Sequence, residues 1–339
     1  MEESSSSKEN KKEEPLLIAQ DKEKNSENKI LNKEKERKNI IICLSIALSI
    51  IILCIILAAR SAHKNNLKKK ESKNFENDNI LYLTYYNSQL KEYKLFDSSK
   101  NNISNFIQTI KVDGKKIKYI EKYNFSKIGE HIVEIRLNTK ISSLNQLFKN
   151  CDSLIDVDFS YFNSENINDF SELFSGCISL IFVNFTNFDT SNAKNMSYMF
   201  YNCKKLKNID LNIFNTSKSI DMSGMFQNCE VLENLNLSNF IGNEILNISS
   251  MFYNCQSLKY LDLKNFNTQK VVNMSSLFYN CKSLKYLDIS NFYFKNSEGN
   301  KDMFTNISEE GNVIYSSSKF FLPLEEFYNW KKKDLAFID

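Results

Sequence analysis

Six cysteines, Cys151, Cys177, Cys203, Cys229, Cys255 and Cys281, recur every 26 residues without a slip, and each sits in a copy of one segment. The segment is clearest around Cys281, where it reads Asn-Met-Ser-Ser-Leu-Phe-Tyr-Asn-Cys-Lys-Ser-Leu-Lys-Tyr-Leu-Asp-Ile-Ser-Asn-Phe. A fixed period of this length is the signature of a repeat array. One copy buries too little apolar surface to offset the entropy of ordering it, so stability has to come from copies packed on copies. Arrays of this kind usually bind partners rather than transform them.

Counted from each cysteine, the residue three later is always Leu and the residue eleven later is always Phe. Positions six and eight later, such as Leu261 and Leu263, are apolar with the alternation of a strand. Before the cysteine, apolar residues stand seven, four and three positions upstream, as in Met196, Met199 and Phe200. That spacing predicts about two turns of helix with one buried face. Eight upstream stand Ser143, Asp169, Asn195, Asp221, Asn247 and Asn273, all residue types that cap a helix start, and Asp169 with Glu172 has capping-box spacing. A seventh, decayed copy keeps Met303, Phe304 and Asn306 in phase, with Ile307 at the cysteine position. Ile there suits a buried apolar slot, and neighbouring helices would hold the cysteines beyond disulfide reach, so six free buried thiols are expected.

Outside the repeats the chain changes character. Residues 1–38 hold ten Lys/Arg, ten Asp/Glu and the run Ser4 to Ser7, a composition that predicts a disordered cytosolic tail. Ile40 to Ala59 carry no charge and are long enough to cross a bilayer as one transmembrane helix, assigned to residues 39–60, with a juxtamembrane linker over 61–78. The apolar run starts too far into the chain for a cleavable signal peptide and reads as a signal anchor. Flanking Lys/Arg number seven in residues 22–38 and six in 60–76, too even to set topology. Nine Asn-X-Ser/Thr sites, at Asn102, Asn124, Asn184, Asn195, Asn215, Asn236, Asn247, Asn273 and Asn306, all follow the helix and favour repeats outside the cytosol, as a glycoprotein. An Asn- and Ser-rich chain also produces such sites by chance. Glu13 to Ile18 has the form of an acidic dileucine sorting signal.

The segment Leu284-Lys-Tyr-Leu287-Asp-Ile289 has the Leu-x-x-Leu-x-Leu form of leucine-rich repeats. With Met-Ser-x-Met-Phe-x-Asn-Cys and the 26-residue period, residues 141–307 resemble the BspA-like leucine-rich-repeat surface proteins. The resemblance implies an α/β fold, a leucine-rich-repeat-like solenoid with a short strand plus a short helix per repeat, used at cell surfaces for adhesion and recognition. Phe stands where that family's ladder Asn is expected, so a phenylalanine spine would replace an asparagine ladder.

Arrays need covered ends. Residues 79–140 read as a β-rich N-terminal cap or a small β domain: Ile110 to Val112, Asp113-Gly114 and Lys116 to Ile120 form a hairpin signal, followed by an alternating strand over His131 to Leu137. Residues 308–339, with Val313 to Tyr315 and the aromatic stretch Phe320 to Trp330, read as a C-terminal cap.

Strand positions that do not point inward offer a partner surface. Ile155, Ile181, Phe182, Tyr260 and Tyr286, with Lys207, Lys259 and Lys285, are candidate contacts to a protein ligand, since aromatics enrich in interface hot spots. Beside them runs an acidic and amide column that includes Asp262 and Asp288; it either bonds neighbouring Ser, Thr and backbone groups or holds Ca²⁺ or a basic ligand. With His63 and His131 the sole histidines and no glycine-rich phosphate loop, no catalytic, cofactor or metal constellation emerges, and the net charge of +3 does not point to nucleic acid. The expected function is therefore a single-pass, membrane-anchored surface recognition or adhesion protein at the plasma or an endolysosomal membrane. A membrane-tethered intracellular scaffold and an endosomal sorting receptor are the alternatives.

Overall fold

The computed structural model describes residues 79–100, 103–294, 301–308, 312–315 and 336–337, all within one compact unit, Phe75–Asp339. The expected tail, transmembrane helix, sorting motif, linker and Phe320 to Trp330 segment lie outside the described residues, as does Asn102. The described residues form strands and turns. Among them there is no α-helix, no closed barrel, and no helix long and apolar enough to cross a membrane.

The N-terminal β element is present as expected. Strands β1 (Asn79–Asn87), β2 (Glu92–Lys94), β3 (Ile107–Val112), β4 (Lys115–Ile117), β5 (Lys122–Asn124) and β6 (Gly129–Leu137) precede the first cysteine. Asp113 and Gly114 take φ of 49° and 78° and turn β3 into β4, the double left-handed geometry for which this dipeptide is suited. The second hairpin strand is shorter than expected, ending at Ile117. β1 pairs antiparallel with β6 on one side and with β7 (Leu154–Tyr161), the first repeat strand, on the other. The cap thus supplies hydrogen-bond partners to an edge the array would otherwise leave open.

From β7 onward the copies lie side by side. β8 (Phe182–Asn184) pairs parallel with β7, completing a sheet of order β4-β3-β6-β1-β7-β8. β9 (Asn208–Ile209), β10 (Asn234–Leu235), β11 (Tyr260–Asp262), β12 (Tyr286–Asp288), β13 (Asn312–Tyr315) and β14 (Ala336–Phe337) form a second parallel sheet in sequence order. From β9 to β13 its pairs match residues 26 apart, as in Leu261 with Leu287, while β13 and β14 pair residues 22 apart, as in Ile314 with Ala336.

The helix expected before each cysteine is absent. In its place the chain makes a run of turns whose residues five and one before the cysteine are left-handed, with φ near +60°, for example Ser250 and Asn254 at 56° and 60°. The reason lies in backbone hydrogen bonds. A two-turn helix leaves four N–H and four C=O groups without partners. Here the amides seven, five, three and one before a cysteine donate to the next copy, as Phe170, Glu172, Phe174 and Gly176 donate to the carbonyls of Asn195, Ser197, Met199 and Tyr201. The amides between them close tight turns three residues back, as Leu173 does to Phe170. The apolar side chains still point inward at the expected spacing, so the pattern was right about the face and wrong about the element.

The capping expectation changes with it. Asp169, Asn195, Asp221, Asn247 and Asn273 each accept the N–H two residues on, at 2.8–3.1 Å, which is an Asx turn rather than a helix cap. Glu172 does not reach back to Asp169; it accepts from Gln146 Nε2 at 2.6 Å and pairs with Lys149.

The core is a set of columns. Phe148, Phe174, Phe200, Phe226, Phe252, Phe278 and Phe304 form a continuous stack with ring centroids 5.5–5.9 Å apart and planes within 21°. All six repeat cysteines are free and buried, as expected. Five of them, from Cys177 to Cys281, also donate Sγ–H to the carbonyl of the stacked Phe in the preceding copy, at 2.9–3.3 Å.

Candidate interaction surface

The strand face that the sequence offered for binding is only partly exposed. Ile181 and Phe182 are each 51% exposed and Tyr260 is 49% exposed, with Lys207, Lys259 and Lys285 in solvent beside them. Tyr286 and Asp262 are half-buried. Two candidates fail: Ile155 is 8% and Asp288 5% exposed. Ile155 lies in β7, whose first six residues are all buried, and Asp288 in β12, where Leu287 beside it is buried too.

The exposed groups are held rigidly. The rings of Tyr260 and Tyr286 stack with centroids 4.3 Å apart and planes 6° apart. Partial burial and the nearby Asp288 carboxylate push the Tyr286 hydroxyl up to about 12. Lys207 and Lys259 approach one carboxylate from two copies, Glu233, at 3.0 and 3.4 Å, and their hydrogen bonds and charge lower its pKa. The lysine edge is thus largely neutralised in the middle of the array.

The neighbouring acidic and amide column is bound to backbone. In each copy the oxygen of Asp158, Asn184, Asp210, Asn236, Asp262 or Asp288 accepts the N–H two residues on, at 3.0 Å. This Asx turn stops every strand after three or fewer residues from β8 to β12 and sends the chain into its return loop. Among the described residues no group of three or more His, Cys, Asp and Glu is placed to hold a metal ion. His131 stacks on Phe125 at 4.2 Å and bonds Asp113 Oδ2 and the Lys127 carbonyl, a contact that ties down the cap.

The same turns account for most of the sequons. Asn184, Asn195, Asn215, Asn236, Asn247 and Asn273 each accept the backbone N–H of the residue two later, which is the sequon's Ser or Thr. At Asn195, Asn247 and Asn273 the Ser hydroxyl donates to the same oxygen. Asp169 and Asp221 perform the same bond in sister copies. At these six positions the Asn-X-Ser/Thr pattern therefore has a folding role as well. Asn124 and Asn306 are exposed and take no part in these turns.

Three columns that sequence reading passed over complete the surface. Asn at the position before the cysteine marks the left-handed residue, for which Asn is tolerated. Asn187, Asn239 and Asn265, ten after their cysteines, each donate Nδ2 to a carbonyl of the preceding copy. An asparagine ladder is thus present, one place before the Phe column rather than replaced by it. Thirteen after the cysteine, buried Thr190 and Thr216 each accept an N–H at 2.7 Å from the next copy and donate to that same residue's carbonyl. Each signal was visible as a recurring polar residue beside an invariant Phe.

A family profile described as "Mycoplasma protein of unknown function, DUF285" matches residues 118–240 and 207–316, the stretch from the cap's last strands through the copies. No curated protein and no solved structure matches the chain.

Proposed function

The chain belongs to this DUF285 family, and from that premise we propose that it is a surface recognition or adhesion protein, its copies stacked as a leucine-rich-repeat-like solenoid that offers the strand face to a protein partner. The observation that carries the reading is the half-exposure of Ile181, Phe182 and Tyr260 on a face whose backbone is fixed by parallel pairing. Contiguous apolar patches on protein surfaces mark interaction sites, and aromatics held in place lose little entropy when a partner covers them. Ile40 to Ala59 would anchor the chain in a single pass, with the copies outside the cytosol or in a lumen.

Cells carrying the full chain test this directly. Phe182→Ser with Tyr260→Ser should abolish adhesion to host cells or matrix-coated surfaces while surface abundance and melting temperature stay unchanged. Undiminished adhesion removes the strand face from the reading. Protease added to intact cells should degrade the copies; degradation only after membrane rupture returns the tethered intracellular scaffold.

A further inference from the structure

A second site lies away from the strand face, among the return loops of the copies that contain Cys203, Cys229 and Cys255. There an open cleft of about 670 Å³ is lined by residues that include Asn212, Ile213, Asn215, Asn239, Ile241 and Asn265. We propose that this cleft binds a neutral oligosaccharide.

The array departs from its own pattern at this point. The ladder position that holds Asn187, Asn239 and Asn265 in other copies holds Ile213, which is 50% exposed, and in the next copy the buried Thr position of the same loops holds Gly242. A Cβ at Gly242 would stand 2.1 Å from the Asn267 carbonyl oxygen, so the loop lies closer to its neighbour than any side chain there permits. Beside Gly242, Ile241 is 40% exposed. Two aliphatic side chains therefore face solvent where the other copies present Asn, Asp or Tyr.

The polar rim has the right chemistry and no charge. Asn239 and Asn265 spend their amide N–H groups on the ladder, leaving each Oδ1 as an outward acceptor. Asn212 and Asn215 do the reverse: their Oδ1 atoms accept from Asn236 Nδ2 and the Ser217 N–H, leaving each Nδ2 as a donor. The hydroxyls of Ser217 and Ser238, also in the lining, make no bond. Donors and acceptors alternating around an aliphatic floor match the hydroxyls and C–H faces of a sugar. No Lys, Arg, Asp or Glu lines the cleft, which gives a sulfated or sialylated chain nothing to pair with. Loops follow one another at about 4.8 Å, close to the length of one sugar ring and poorly matched to the rise of about 3.3 Å in an extended peptide.

Titration calorimetry on the full chain, with short linear hexose and N-acetylhexosamine oligomers as probes, tests the proposal. At least one neutral series should bind. Ile213→Asn, which installs the repeat's own residue and so keeps the fold, should weaken that binding about tenfold or more, equivalent to roughly 1.4 kcal/mol, and Ile241→Asn should do the same. Tyr260→Ser should leave it unchanged, which separates this site from the strand face. Absence of binding by every neutral series, binding by the Ile variants as tight as the parent's, or preference for a sulfated oligomer or an extended peptide would each overturn it.

Discussion

Cys229 shows how much one side chain does in this array. It fills a slot with no access to water, donates Sγ–H to the Phe200 carbonyl at 3.1 Å, and is pushed by burial to a pKa of about 12. Cys281 is raised to about 12 for the same reason. We expect Cys229→Ala to cost about 1–3 kcal/mol at neutral pH, through the lost bond and the void it leaves. The folded value lies above the ordinary 9.0, so the thiol's stabilisation is complete below that pH and is lost as pH rises toward about 12. The slope is about 1.4 kcal/mol per pH unit for each such thiol. Urea midpoints across this range should fall steeply for the parent and less so for Cys229→Ala; identical slopes would show that the thiol titrates alike in the folded and unfolded states. The buried cysteine slot was legible because Ile307 occupies it in the last copy. Its hydrogen bond was not, since Ile cannot make one and the partner sits 29 residues earlier.

Within one copy, the lesson concerns what apolar spacing can distinguish. Residues seven, four and three before a cysteine share a face in a helix and also in a run of tight turns, so Met222, Met225 and Phe226 are buried either way. The discriminating signal was Asn228, which recurs as Asn in most copies and as Gly176 in one, and which takes φ of 62°. An Asx turn and a helix cap likewise use the same side-chain oxygen, which is why Asp221 read as a cap. The hairpin of the N-terminal cap was legible because Asp113-Gly114 demands one backbone geometry. For the candidate surface, alternation identified Phe182 and Tyr260, but not that Ile155 is buried in β7, a strand paired with β1, whose place there no local pattern encodes. The return loop supplies two tests. Thr216→Val removes a hydroxyl that pairs with both backbone groups of Ile241, and we expect it to cost about 1–3 kcal/mol. Gly242→Thr would make the loop conform to its sister copies, yet we expect it to destabilise by about 1–3 kcal/mol because the new Cβ meets the Asn267 backbone. Chemical denaturation of the two variants decides both; a stabilised Gly242→Thr would mean that the loop can retreat.

At the scale of the whole array, copies touch mainly their neighbours, so the position of a substitution should matter as much as its chemistry. Charge makes the point first. Glu230, Glu233 and Glu244 all belong to the copy of Cys229 and pair with Lys204, Lys207, Lys259 and Lys270 of the copies on either side. Glu233→Lys would set four lysines in register, with Lys207, Lys259 and Lys285, and we expect a lower denaturation midpoint that recovers as salt screens the repulsion. The Phe stack makes the point more sharply. Phe226 lies between Phe200 at 5.6 Å and Phe252 at 5.9 Å, whereas Phe304 contacts Phe278 at 5.7 Å at the last described ring of the stack. Phe226→Ala opens a void that no loop can fill, because the rings above and below are held by ladders of backbone bonds to the next copies; a loss of about 3–5 kcal/mol follows. Phe304→Ala removes one contact at an end and should cost less. Hydrogen exchange separates the two cases. In Phe226→Ala, amides from the copy of Cys203 through that of Cys255 should exchange faster together, since each donates to a copy now weakened. In Phe304→Ala, faster exchange should be confined to Ser276, Phe278 and Asn280, whose N–H groups donate to Lys301, Met303 and Thr305. Uniform acceleration along the chain in both variants would show a single cooperative unit instead of coupling carried from neighbour to neighbour.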